Sequence, residues 1–246
     1  MILSDIRKQA RDFLTGKWGK SALITLIYFL FLFALGFIQN LVEDISFLNF
    51  VIQIATIIIS VPIAFGLIIS FMKLKNGEDV KCYSFFNYGF INFARSWKLI
   101  GNILLKMWLP ILLYILAIIA FSLTITFGVA ASVVASSSTF LVITFIIGIV
   151  LLVSAFVYLF IKSLLYSLTY FIAYDNEDMS GKEVVEESAK LMNGHRCKYF
   201  LLQLSFIGWI ILSVFTLYIG MLWLIPYIQI SMICFYEALK ENKVEE

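Results

Sequence analysis

Ser180-Gly-Lys-Glu-Val-Val-Glu-Glu-Ser-Ala-Lys-Leu-Met-Asn193, then Gly194-His-Arg-Cys-Lys198, then a charge-free apolar run from Tyr199 to Tyr236: this stretch decides the fold. Ser180 and Glu183 stand at capping-box spacing, so the start of a short polar helix is written locally. Gly194 suits the left-handed residue that follows such a helix. The 38 residues from Tyr199 to Tyr236 are enough for two bilayer crossings at about 20 residues each. The plan is an amphipathic helix, a basic hinge and a membrane hairpin. The rest of the chain repeats it.

Composition agrees. Of 246 residues, 62% are hydrophobic and 14% charged, with a mean hydropathy of +0.97. Soluble domains carry about 25% charged residues, so a soluble fold is excluded. Cys82, Cys197 and Cys234 are far apart and suggest neither a disulfide framework nor a zinc site. The first apolar segment exceeds a signal-peptide core and is expected to stay in the membrane.

From the N-terminus, Met1 to Thr15 reads as an interfacial helix. Ile2, Leu3, Ile6, Ala10, Phe13 and Leu14 form one face; Arg7, Lys8, Arg11 and Asp12 form the other. Gly16-Lys-Trp-Gly-Lys20 repeats the Gly-to-Lys spacing of Gly194 to Lys198, and Trp18 suits the headgroup level. Ser21 to Val42 is the first span and Phe47 to Met72 the second, with Pro62 inside it. Val80 to Trp97 reads as a second interfacial helix. Leu99 to Phe127 and Thr139 to Tyr174 are the next two apolar runs, joined by a small, polar-flecked external loop at Gly128 to Ser138. The charged tail from Glu237 to Glu246 is expected to fray.

The expected fold is therefore an all-α polytopic membrane protein with six transmembrane helices. They form three hairpins, each preceded by a cytoplasmic interfacial amphipathic helix. The chain reads as one membrane domain, 1–246, with hairpin units at 1–72, 73–174 and 175–246. With six spans, all 18 Lys and Arg fall on one side, and the other side carries only Glu43 and Asp44. The positive-inside rule makes the basic side cytoplasmic, with both termini inside. A weak threefold repeat supports the architecture: Pro62 to Phe71 and Pro226 to Phe235 share their spacing, and Phe171 aligns with the two phenylalanines.

Leu204-Ser-Phe-Ile-Gly-Trp209, Gly220-Met-Leu-Trp-Leu-Ile-Pro-Tyr227 and Phe235-Tyr-Glu237 resemble the bacterial integral-membrane family known as domain of unknown function 975. So do Ala10 to Gly19 and Ser188-Ala-Lys-Leu-Met-Asn-Gly194. That family is distantly similar to the membrane-embedded part of some glycerophosphodiester phosphodiesterases, whose separate soluble domain carries the chemistry. No such domain is expected within these 246 residues. The resemblance implies a bacterial plasma-membrane protein without an established activity.

Two cations interrupt the apolar runs, Lys106 and Lys162. Two readings are open. Met107 to Phe127 and Thr139 to Ile161 each fit a bilayer of about 30 Å, so both lysines can mark the inner interface and snorkel. Leu99 to Leu105 and Ser163 to Tyr174 then need cover from the amphipathic helices. Alternatively, Lys106 and Lys162 line a cytoplasm-facing cavity and, with Lys98, Arg196 and Lys198, hold an anion. No Asp or Glu lies inside a span to pair them, so a lipid phosphate or another anion supplies the counter-charge. His195 reads as a solvated hinge residue, and Asp175, Glu177 and Asp178 as the approach to a helix N-terminus. No triad, nucleotide loop or metal cluster is visible, so no catalytic residue, metal site or cofactor is expected. The expected partners are anionic membrane lipids and a membrane protein, with no nucleic acid. Function is left between binding or transport of an amphiphilic anion or lipid and a non-transporting scaffold, partner subunit or assembly factor.

Overall fold

The computed structural model describes residues 3–135 and 139–244. Every element among them is helical. Six helical stretches are long and apolar enough to cross a membrane: Trp18–Leu41, Ser46–Lys75, Phe93–Ala131, Leu141–Asp175, Arg196–Phe215 and Met221–Asn242. A lipid-exposed backbone must satisfy its own hydrogen bonds, and a helix lets a continuous run of Ile, Leu and Phe do so within one segment. The chain is a multi-pass membrane protein.

Helix α1 (Leu3–Leu14) buries Ile6, Ala10 and Leu14, the apolar face expected of it; Ile2 lies outside the described residues. Gly16 takes φ +83° and turns the chain into α2 (Trp18–Leu41). Helix α3 (Ser46–Lys75) returns with Pro62 inside it. The expected helix from Val80 to Trp97 is instead two pieces, α4 (Ser84–Ile91) and the start of α5 (Phe93–Ala135). Helix α4 does not lie free at a surface. It packs along α3, with the Phe85 carbonyl against Gly66 and Gly89 against Pro62. Phe85 is fully buried and meets Tyr28 edge-on at 5.8 Å, while Phe86 meets Phe31 at 5.0 Å. Periodicity alone did not show this because two glycines, lacking side chains, create the contact.

The loop expected at Gly128 to Ser138 is also corrected. Helix α5 continues to Ala135, and Ser136 to Ser138 lie outside the described residues. Helix α6 (Thr139–Ser163) packs antiparallel to α5, with Thr124 and Phe121 against Gly148 and Thr144 against Gly128. The apolar run to Tyr174 breaks into α6, a single 3-10 turn at Leu164–Tyr166 and α7 (Thr169–Asp175). This hairpin stands apart from the rest: only 11% and 6% of its two most apolar stretches are buried within the protein.

Helix α8 (Gly181–Leu191) opens with the capping box read from the sequence: Glu183 N–H donates to Ser180 Oγ, and Ser180 N–H to the Glu183 carboxylate. Gly181 rests on the Lys98 carbonyl of α5, and Ser188 donates to the Leu165 carbonyl at 2.9 Å. Helix α8 thus covers the apolar extensions of α5 and α6. Gly194, at φ +81°, leads into α9 (Arg196–Leu204). A break at Ser205 and Phe206 separates α9 from α10 (Ile207–Phe215). A tight turn follows, with Leu217 and Tyr218 at φ 51° and 64°, and then α11 (Met221–Val244).

The buried core gathers at the end of the bundle where α1, α7 and α8 pack on the long helices. Phe71, Phe171 and Phe235, the positions matched in the threefold repeat, all lie in it, and Phe171 stacks on Tyr236 at 5.9 Å. Asp175 accepts hydrogen bonds from Tyr236 and Lys240, tying α7 to α11.

Candidate functional site

The structure distributes the lysines and arginines singled out by sequence. Lys106 donates to Glu186 of α8 at 2.9 Å, so its counter-charge is a carboxylate of this chain rather than the lipid phosphate expected above. The pair also holds the Glu186 carboxyl below its ordinary range. The acid was missed because it stands 80 positions away, on a helix brought to α5 only by folding. The α5–α6 register opposes Lys162 to Pro110 and Lys106 to Tyr166, which leaves the two lysines about one helical turn apart along the hairpin. The Lys162 ammonium lies 5.8 Å from the ring centre of Tyr158. Lys98 and Lys198 are exposed, and Arg196 donates to Asn193 at 3.1 Å. None of these five residues lines either of two sizeable cavities.

The smaller cavity, about 470 Å³, lies between α3, α4, α5 and α7. Its cations are already engaged. Lys73 pairs with Glu78 at 2.6 Å. Arg95 donates to the carbonyls of Ala173, Asn176 and Glu177 and so satisfies the C-terminal end of α7. It is a structural junction.

The larger cavity, about 600 Å³, is a cleft where α1 and Trp18 face α10 and α11. Its residues follow from three local features. Arg7 and Arg11 are one turn apart on α1, beside the face that Ile6, Ala10 and Leu14 bury, and both line the cleft. Trp18 starts α2 immediately after the turn at Gly16 and lies 6.3 Å from the ring of Tyr227, which in turn meets Phe206 at 5.2 Å. The α10–α11 turn brings Trp209 and Leu212 opposite Trp223 and Leu224, which form apolar walls.

The electrostatics of the cleft are one-sided. Among the described residues no carboxylate lines it, and neither Arg7 nor Arg11 has a side-chain hydrogen bond or ion pair. The hydroxyls of Ser213 and Thr216 donate to the backbone carbonyls of Ile210 and Ser213, so they are already committed. Tyr227 donates to the Arg7 carbonyl at 3.5 Å. The arrangement is two unpaired guanidiniums over an apolar, tryptophan-walled slot. Such a site suits a molecule with an anionic head and an apolar body.

Sequence reading placed Arg7 and Arg11 on the solvated face of α1 and did not join them to Trp209 or Trp223, 198 or more positions away. The available signal was indirect. Three of the stretches on which the family resemblance rests contribute to this one cleft: Arg11 and Trp18 from Ala10 to Gly19, Trp209 from the second, and Gly220 to Tyr227 from the third. No curated protein and no solved structure matches the chain. A single family model spans nearly all of it, residues 1–243, taking in every element that builds the cleft, and the chain belongs to that family, described as protein of unknown function DUF975.

Proposed function

We propose that the protein binds an amphiphilic anion, a lipid or lipid-linked metabolite, in the cleft between α1 and the α10–α11 pair. One observation carries this reading: Arg7 and Arg11 present two unpaired guanidiniums beside the apolar walls formed by Trp209, Leu212, Trp223 and Leu224. The location that fits is a bacterial cytoplasmic membrane, with three hairpins and both termini on the cytoplasmic side. The one-sided distribution of Lys and Arg supports it, as do the amphipathic helices α1 and α8. In that frame Lys98, Lys106, Lys162, Arg196 and Lys198 form a basic rim facing anionic headgroups. The reading assigns the chain no reaction.

A scaffold role is the second reading, favoured by the α5–α6 hairpin, whose apolar surface is almost wholly unburied within the chain. Native mass spectrometry of gently extracted protein separates the two. The binding reading expects retained anionic lipid that falls at least about tenfold in Arg7→Met/Arg11→Met and only slightly in Lys106→Met or Lys162→Met. Equal retention by wild type and the arginine variant overturns it. A stoichiometric protein partner without lipid supports the scaffold.

A further inference from the structure

We infer that the cleft selects an amphiphile whose head ends in a phosphate monoester. This rests on the binding reading above and specifies its ligand. The first reason is charge. Among the described residues the cleft presents two guanidiniums and no acid. A phosphodiester head carries one negative charge and would leave one guanidinium uncompensated. A monoester carries about −1.5 to −2 at neutral pH and matches the pair.

The second reason is geometry. Side chains at i and i+4 on a helix are neighbours, about 5–6 Å apart at Cβ. Two long side chains on that spacing are able to reach one acceptor group with their planar forks. A terminal phosphate offers three free oxygens, enough for both forks, whereas a diester offers two and carries a bulky substituent where the second fork must approach.

The third reason is exclusion. The tryptophan rings by themselves suit a quaternary ammonium, but two neighbouring cations repel it and no carboxylate is present to pair a primary amine. Choline and ethanolamine heads are therefore disfavoured. The apolar walls commit the ligand to a lipid rather than a free phosphate, because a soluble anion would leave Leu212 and Trp223 without a partner.

The test uses the purified full chain in detergent with phosphatidate and phosphatidylglycerol of identical chains, read by native mass spectrometry. At pH 8 phosphatidate should be retained about tenfold better. The preference should shrink toward pH 5.5, as the phosphate, with a second pKa of about 6, takes up its proton. Arg7→Lys/Arg11→Lys keeps the charge but not the forks; it should bind both lipids and lose most of the preference. Equal retention of the two lipids by wild type, with both lost in Arg7→Met/Arg11→Met, overturns monoester selection and leaves the anionic-amphiphile reading standing. Retention of both lipids independent of Arg7 and Arg11 overturns the cleft itself. Displacement of phosphatidate by an equal concentration of glycerol 3-phosphate overturns the commitment to a lipid. Thermal unfolding of each variant, unchanged from wild type, shows that a loss is not a folding defect.

Discussion

Replacing Gly66 by alanine tests the packing of α4 on α3. Helix propensity alone favours the change, since Gly costs about 1 kcal/mol relative to Ala inside a helix. The structure reverses the sign. A Cβ built on Gly66 would stand 2.0 Å from the Phe85 carbonyl oxygen, 2.6 Å from Gly89 N and 3.0 Å from Gly89 Cα. All three are backbone atoms, so no flexible side chain can swing aside. To reach the 3.4 Å at which ordinary contact begins, α4 must withdraw by about 1.4 Å. That withdrawal loosens the ring contacts of Phe85 with Tyr28 and of Phe86 with Phe31. Overpacking of this kind costs about 1–3 kcal/mol and outweighs the propensity gain. At about 2–4 °C per kcal/mol for a chain of this size, the unfolding midpoint should fall by several degrees. Gly89→Ala meets the Pro62 carbonyl at 2.7 Å and should fall less. Gly101→Ala, with nothing within 4 Å, should match or exceed wild type. Thermal unfolding in one detergent, followed by tryptophan fluorescence, ranks the three. Should Gly66→Ala prove as stable as Gly101→Ala, the close approach of α3 and α4 is wrong.

The remaining predictions concern α8. The Lys106 hydrogen bond lowers the Glu186 pKa in the folded protein, so this pair stabilises above the ordinary carboxylate value of 4.5 and its contribution is lost as pH falls through the lowered value. Lys106→Met, Glu186→Gln and the double variant should therefore show the same reduced slope of unfolding midpoint against pH below 4.5, and 1 M salt should shrink the difference from wild type. Three unequal slopes would mean the two groups do not act as a pair. Ser180→Ala removes the side-chain half of the capping box and should destabilise the start of α8 by about 1 kcal/mol, seen as faster amide exchange over its first turn. Ser180→Asp, which keeps an acceptor at the cap, should restore most of the protection; failure to do so would rule out the cap as the cause.

Much of the fold follows from one-dimensional pattern. Apolar runs long enough to span a bilayer become helices because a helix satisfies its backbone groups within the one segment. The capping box at Ser180, the left-handed Gly194 and the buried face of α1 depend on residues within a few positions of one another, and each is readable without a partner. Tertiary structure decided what depends on distant contacts. Helix α4 docks on α3 because Gly66 and Gly89 let two backbones touch. Lys106 gained a carboxylate because α8 folds back over α5. The proposed site draws on Arg7 and Arg11, which only folding brings beside the α10–α11 pair. A charge inside an apolar run is conspicuous in sequence, whereas one on an amphipathic helix looks solvated until folding sets Trp209 and Trp223 across from it. Local hydrogen bonding and hydrophobic period are properties of the chain; a cleft is made by surfaces that only packing brings face to face.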